Sequence, residues 1–64
     1  MANFSIKFYD KDDRQISIEC FATNDDSIRV IVENGSYELI DLDKSTAIKF
    51  AKTLRTEINK IENE

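Results

Sequence analysis

The sequence predicts an α+β fold in which a four-stranded antiparallel meander is followed by one C-terminal helix packed on one face of the sheet. Apolar residues alternate with a period of two through the first two thirds of the chain, with clusters of turn-forming residues between the alternating runs. After residue 43 the apolar spacing changes to that of a helix. With no proline and one glycine, residues 1–64 contain no linker and are expected to form one domain.

The first two strands are predicted on either side of an acidic turn. The two faces of the first strand consist of Phe4, Ile6 and Phe8 and of Ser5, Lys7 and Tyr9. Residues 10–13, Asp-Lys-Asp-Asp, have the composition of a turn. The two faces of the second strand consist of Ile16, Ile18, Cys20 and Ala22 and of Ser17, Glu19 and Phe21. A second polar cluster at 23–27 then reverses the chain.

The third and fourth strands are predicted to form a hairpin closed by the Asn-Gly pair at 34–35. The two faces of the third strand consist of Ile28, Val30 and Val32 and of Arg29, Ile31 and Glu33. Asn and Gly best tolerate the positive φ angles of a two-residue type I′ turn. The resulting register places Tyr37 and Leu39 on the core face. Ile40 falls on the opposite face, beside Arg29.

The last third of the chain is predicted to be one helix, from Lys44 to about Ile61. Asp43 suits the N-cap position because its carboxylate accepts a hydrogen bond from a free N–H of the first turn. The apolar residues then form a single stripe along the helix at 100° per residue. The stripe consists of Ala47, Phe50, Ala51, Leu54, Ile58 and Ile61.

The small size of the chain predicts that it associates with another molecule. A chain of 64 residues buries only about 60% of the surface that it exposes when unfolded. Small domains are usually stabilised by disulfides, a metal or a partner, but this chain has one cysteine and no histidine. Dimerisation or docking on a larger protein is therefore expected.

The sequence also predicts a cytoplasmic protein that has no contact with a membrane. Residues 1–4 do not begin a basic segment followed by a long apolar run, and no stretch approaches the ~18 apolar residues of a membrane span. A single cysteine agrees with a reducing compartment.

Acidic and basic residues are divided unequally between the sheet and the helix. Residues 1–43 hold ten acids and four bases, a balance of −6, whereas residues 44–64 hold five bases and three acids, a balance of +2. The overall charge of −4 disfavours direct nucleic-acid binding, because that depends on neutralising phosphates, and an acidic sheet suits a basic protein partner instead. The basic helix residues, which form either a solvated face or a phosphate-contact face, are Lys49, Lys52, Arg55 and Lys60.

No combination of residues predicts catalysis, so a non-enzymatic protein without a cofactor is expected. Cys20 has no histidine to activate it and lies on the apolar face of the second strand, which favours a core role. Residues 10–13 lack the glycine and the distant glutamate of a calcium loop, which favours a charged turn over a metal site. One glycine is too few for a glycine-rich phosphate loop.

Apolar residues on the face of the sheet away from the helix predict an interaction surface. A single helix covers one face only, and a group of apolar side chains left on the other face marks an interface more often than chance exposure does. Aromatic residues in such a group commonly supply binding energy. The predicted partner-binding residues are Tyr9, Phe21, Arg29, Ile31 and Ile40, with Glu19 and Glu38 in the polar surround.

The predicted order of elements resembles that of PC4-like and whirly-like single-strand-binding domains, in which a four-stranded sheet precedes a helix that mediates dimerisation. The resemblance implies a homodimer that binds single-stranded nucleic acid through the basic helix residues, or with Tyr9 and Phe21 as stacking platforms. Those domains carry basic strands, whereas the strands here are acidic apart from Lys7, Arg14 and Arg29.

Size, acidity and the lack of catalytic groups also resemble those of the small single-domain inhibitors of phages and prophages, notably anti-CRISPR proteins. That resemblance implies a partner that is an RNA-guided nuclease, of the RNA-targeting type, or its RNA complex. The leading prediction is therefore a non-catalytic inhibitor or adaptor that docks on a nucleic-acid-handling protein. The alternative is a homodimeric PC4-like protein that binds single-stranded nucleic acid.

Overall fold

The computed structural model describes residues 6–62 and has the predicted α+β architecture. Four antiparallel strands lie in the sheet order β1-β2-β3-β4, as a meander requires, and one helix follows them. The elements are β1 Lys7–Tyr9, β2 Ser17–Ala22, β3 Ser27–Glu33, β4 Tyr37–Asp43 and α1 Lys44–Ile58. Phe4 and Ser5, which the sequence assigns to the first strand, lie outside the described residues.

Short polar side chains fix the first two turns. In the β1–β2 loop, Asp10 Oδ2 accepts a hydrogen bond from the N–H of Asp12, and Asp13 Oδ1 accepts one from the N–H of Gln15, both at 2.9 Å. These carboxylates replace the backbone partners that the loop amides lack. In the β2–β3 turn, Asp26 adopts a positive φ of 64°, which Asp tolerates better than most residues.

The β3–β4 loop is one residue longer than the predicted two-residue turn. It contains Asn34, Gly35 and Ser36, and Glu33 pairs with Tyr37. Within the described residues, a positive φ is found in this loop only at Gly35, at 99°, whereas a type I′ turn needs it at two successive residues. The N–H of Asn34 donates to the carbonyl of Ser36 at 3.1 Å instead.

Because of the extra loop residue, each side chain of β4 lies on the face opposite to the one predicted. Because side chains alternate along a strand, a shift of one residue moves all of them to the other face. Ile40 lies directly opposite Val30 and Glu38 opposite Val32, on the side of the helix. The predicted placement of these residues on the face away from the helix was wrong. The core-face placement of Tyr37 and Leu39, which follows from the same register, was wrong for the same reason.

The sheet therefore has two well-defined faces. Val30, Ile40 and Leu42 line a groove with Thr46 and Phe50 of the helix, and residues directly opposite each other on neighbouring strands share a face. The helix-side face consists of Phe8, Ile18, Cys20, Ala22, Ile28, Val30, Val32, Glu38, Ile40 and Leu42. The opposite face, here called the open face, consists of Lys7, Tyr9, Ser17, Glu19, Phe21, Ser27, Arg29, Ile31, Glu33, Tyr37, Leu39, Asp41 and Asp43.

The helix begins where the sequence predicts and ends about one turn early. Asp43 is the N-cap, and its Oδ1 accepts a hydrogen bond from the N–H of Thr46 at 2.9 Å. The helix ends at Ile58, and the N–H of Asn59 donates to the carbonyl of Arg55 at 3.0 Å. Ile61 lies beyond the last helical residue.

Removal of the N-cap carboxylate should lower stability in a pH-dependent manner. The hydrogen bonds from Thr46 hold the pKa of Asp43 below its ordinary value of 3.8. Folding thus favours the ionised form, so the stabilisation is complete above that value and is lost as the pH falls below it. Asp43→Ala should lower the melting temperature at neutral pH by several degrees, and the gap should narrow below pH 3.8.

Circular dichroism melts across this pH range measure the effect. Asp12→Ala is the matched control, because Asp12 lies in the exposed β1–β2 loop, where its carboxylate contacts Lys11. This variant should have the same melting temperature as the wild type at neutral pH. A constant gap between Asp43→Ala and the wild type down to strongly acidic pH would show that the carboxylate does not stabilise the helix through its charged form.

The packing of the helix on the sheet is sparse. Among residues 6–62, Val30 is the one apolar residue that is buried, at 9% exposure. No residue of Lys44–Ile58 is buried, and the helix meets the sheet around an open groove of about 230 Å³ above β3 and β4. Cys20 has the predicted position on the helix-side face but is exposed, so its predicted core role was wrong. The helix therefore leaves most of the face that it should cover open to solvent.

Candidate interaction surface

Aromatic and aliphatic side chains from all four strands lie on the open face. Ile31 and Leu39 lie directly opposite each other at the centre of β3 and β4. The group, here called the open-face patch, consists of Tyr9, Phe21, Ile31, Tyr37 and Leu39. Ile31 is half-buried, whereas Tyr37 and Leu39 are 63% and 59% exposed. The members of the patch on β2, β3 and β4 are direct or diagonal neighbours, whereas Tyr9 on β1 is separated from them by Ser17, Glu19 and Glu33.

A two-pronged ion pair borders the patch on β3 and β4. Arg29 and Asp41 lie directly opposite each other. Arg29 donates from Nε to Asp41 Oδ1 at 2.8 Å and from Nη2 to Oδ2 at 3.0 Å. These hydrogen bonds hold the pKa of Asp41 below its ordinary value and raise that of Arg29, so both groups stay charged. The pair fixes the guanidinium of Arg29 against Asp41 on β4, whereas Phe21 lies opposite Arg29 on β2.

A second ion pair crosses β2 between Tyr9 and the rest of the patch. Lys7 Nζ on β1 lies 3.5 Å from Glu33 Oε1 on β3, and the charge of Glu33 raises the pKa of Lys7. On β2, between these strands, Ser17 is 6% exposed, the one buried polar residue of the described chain. A small residue there lets the longer side chains on either side meet over it. The ion pair ties β1, a strand of only three residues, to the rest of the sheet.

The loop after β1 also holds Tyr9 in place. The guanidinium carbon of Arg14 lies 5.2 Å from the centre of the Tyr9 ring, within the range of a cation–π contact. Tyr9 remains about half exposed. Its ring is therefore oriented by the protein while one side stays available to a partner.

The structure brings four of the five predicted partner-binding residues to one face. Tyr9, Phe21, Arg29 and Ile31 all lie on the open face, as does Glu19 of the polar surround. Ile40 lies on the helix side of the sheet. The β4 residues that lie on the open face in its place are Tyr37 and Leu39, which the sequence did not predict there. The signal that points to them is the polar Ser36, which extends the Asn-Gly turn to three residues.

Lys49 and Lys52 lie on the side of α1 away from its apolar stripe, Arg55 flanks the stripe, and Lys60 lies beyond the last helical residue. All four, Lys49, Lys52, Arg55 and Lys60, are exposed. Lys60 forms an ion pair with Glu57, with Nζ 3.0 Å from Oε2. Within residues 6–62 the other three have no acidic partner within ion-pair distance.

Other kinds of site are not evident in the described residues. Residues 6–62 contain no group of three or more side chains placed to hold a metal ion. In the same range, no helix is both long and apolar enough to cross a membrane. Comparison of the chain with protein-family models, curated proteins and solved structures gives no match. Function is therefore inferred from the chemistry of the surface alone.

Proposed function

We propose that this protein is a non-catalytic inhibitor or adaptor that binds a protein partner through its open face. The observation that carries the proposal is the open-face patch, in which exposed aromatic and aliphatic side chains lie side by side on neighbouring strands. Such a patch buries apolar area when a partner covers it, and its aromatic members are the residue type that dominates binding energies. The bordering ion pairs supply a polar rim.

The charge of the sheet indicates the chemistry of the partner. Residues 1–43 carry a balance of −6, and the charged groups of the open face are Lys7, Arg29, Glu19, Glu33, Asp41 and Asp43. An acidic rim around an apolar centre favours a basic protein surface with an apolar depression, because opposite charges steer encounter and fix orientation. Surfaces that hold DNA or RNA have this character.

Within that class, we propose an RNA-guided nuclease as the partner, which would make the protein an anti-CRISPR-like inhibitor of phage or prophage type. The support for this finer proposal is the small size, the acidity and the lack of catalytic groups. Binding in a nucleic-acid channel would block the nuclease without chemistry. Such a partner is cytoplasmic, which agrees with the single free cysteine.

Affinity capture with open-face variants tests the proposal. The tagged chain, used as bait in lysate of its host, should retain one protein in stoichiometric amount. Phe21→Ser and Leu39→Ser, which change exposed residues of the patch, should weaken that capture at least tenfold. Ile48→Ser is the matched control, because Ile48 is an exposed apolar residue on the helix.

Two results would count against the proposal. Equal capture by the patch variants and the wild type would exclude the open face as the binding surface. For the finer proposal, a purified RNA-guided nuclease from the host should lose cleavage activity when the wild-type chain is added. Full activity at a large excess of the chain would rule out that partner.

The basic helix residues favour one alternative, a single-stranded nucleic-acid binder. Lys49, Lys52 and Arg55 are exposed and have no acidic partner within the described range. Phosphate contacts of this kind produce affinity that falls steeply with salt. Fluorescence anisotropy with single-stranded DNA and RNA at low and moderate salt distinguishes the two functions. A salt-sensitive affinity that is lost in Lys52→Glu would establish the alternative, and no binding at low salt would remove it.

A further inference from the structure

The apolar stripe of the helix and the sheet beneath it are both largely uncovered. On the helix, Phe50, Leu54 and Ile58 are each at least half exposed, although they form the stripe that should face the core. On the helix-side face of the sheet, Phe8 and Ile40 are also more than half exposed. This combination, here called the bare surface, is separate from the open face that carries the proposed function.

The exposed area of the chain is larger than that of a folded monomer of its mass. The chain exposes 5996 Å², whereas a compact monomer of 7.4 kDa exposes about 4,200 Å². The seven residues outside 6–62 weigh about 0.8 kDa and would expose at most about 1,200 Å² even if unfolded, at about 1.45 Å² per dalton. Residues 6–62 therefore expose at least about 900 Å² more than a compact monomer of their own mass, which exceeds the ~800 Å² that each partner buries in a standard interface.

The chain cannot cover this surface with its own helix. β4 ends at Asp43 and the helix begins at Lys44, with no loop residue between them. The direction of the helix is therefore fixed by the last strand, and the Asp43 cap holds the junction. Its contacts reach β3 and β4, whereas Phe8 and Ile18 lie on β1 and β2. Within residues 6–62 no other element packs on that part of the face, which leaves it available to a second molecule.

We propose that the second molecule is another copy of this chain, and that the helix of each copy lies on the helix-side face of the other copy's sheet. One chain supplies both halves of such a contact, a bare sheet and a bare helix, which is what a two-fold symmetric interface requires. The excess area is sufficient for a stable interface of standard size.

The homodimer accounts for the stability of so small a chain and leaves the open face outward. Burial of Phe8, Ile40, Leu54 and Ile58 between copies would give the apolar core that the isolated chain lacks. The open-face patch stays on the outside of each sheet. The inference does not rest on the proposed function, since the two surfaces lie on opposite faces of the sheet.

Measurement of the molar mass of the full chain tests the proposal. Light scattering or sedimentation at micromolar concentrations should give twice 7.4 kDa, falling towards 7.4 kDa on dilution. Ile58→Glu places a charge in the proposed interface and should raise the dissociation constant at least about 30-fold. Ile48→Glu is the matched control. Ile48 is 46% exposed against 55% for Ile58, but it lies outside the stripe and should leave the dimer intact.

The thiol of Cys20 gives a second test that needs no substitution. Cys20 lies on the helix-side face and is exposed in the isolated chain. A bulky thiol reagent should therefore label the wild type slowly at concentrations where the dimer forms and rapidly on dilution. This readout stays valid if Ile58→Glu fails to fold. A monomeric mass at high concentration, or dissociation by Ile48→Glu and not by Ile58→Glu, would overturn the proposal.

Discussion

Replacing Val30 with Asp should abolish folding, and Val30→Ala should lower the free energy of unfolding by about 2 kcal/mol. Val30 is the buried apolar residue at the centre of the sheet, between Cys20 on β2 and Ile40 on β4. Its truncation removes two methyl groups and leaves a cavity. A carboxylate at this position would have no cationic partner. The expected cost is large, because a domain of this size is stable by only about 3 to 10 kcal/mol.

Urea denaturation monitored by circular dichroism measures the Val30 effect. Val32→Ala is the matched control, because Val32 lies on the same strand and the same face but is only half-buried. Its midpoint should shift clearly less than that of Val30→Ala. Equal shifts for the two variants would mean that the core is not centred on Val30. A folded Val30→Asp variant would lead to the same conclusion.

Gly35→Ala should destabilise the protein by about 1 kcal/mol, which corresponds to a fall in melting temperature of about 4–8 °C for a domain of this size. Gly35 has a φ of 99°, a conformation that residues with a Cβ rarely adopt. A Cβ added there would meet no other atom within 4 Å. The cost therefore arises from the backbone alone and not from a steric clash.

Thermal melts of Gly35→Ala and Ser36→Ala isolate this backbone effect. Ser36 is the exposed neighbour of Gly35 in the same loop and has no positive φ, so its replacement should leave the melting temperature nearly unchanged. If Gly35→Ala had the same melting temperature as Ser36→Ala and the wild type, the stability of the hairpin would not depend on the left-handed conformation of Gly35.

The apolar pattern of β1 to β3 was sufficient to predict their faces, whereas that of β4 was not. In β2 and β3, turn residues on both sides left little choice, and Phe21, Arg29 and Ile31 lie where the alternation places them. In β4, Tyr37, Leu39 and Ile40 allow either face to be apolar. The register of β4 therefore depends on whether the β3–β4 loop contains two or three residues. The backbone geometry of the loop determines that number.

The same ambiguity explains the outcome for the candidate site. Tyr9, Phe21, Arg29 and Ile31 were placed correctly, because they lie on strands whose registers follow from alternation. Ile40 was placed on the wrong face, because one additional loop residue shifts the register of β4 and moves its side chains to the other face. The ion pair between Arg29 and Asp41 joins residues twelve positions apart, and only the observed register brings them opposite each other.

The sequence by itself determined the order of elements, the Asp43 cap and the two acidic turns, because each depends on residues near one another in the chain. Only the tertiary structure decided which side chains of β4 face the helix and how little of the sheet that helix covers. Both depend on contacts between distant residues and on a junction without a loop, where the direction of the helix is fixed by the strand before it. Local periodicity carries no information about that direction.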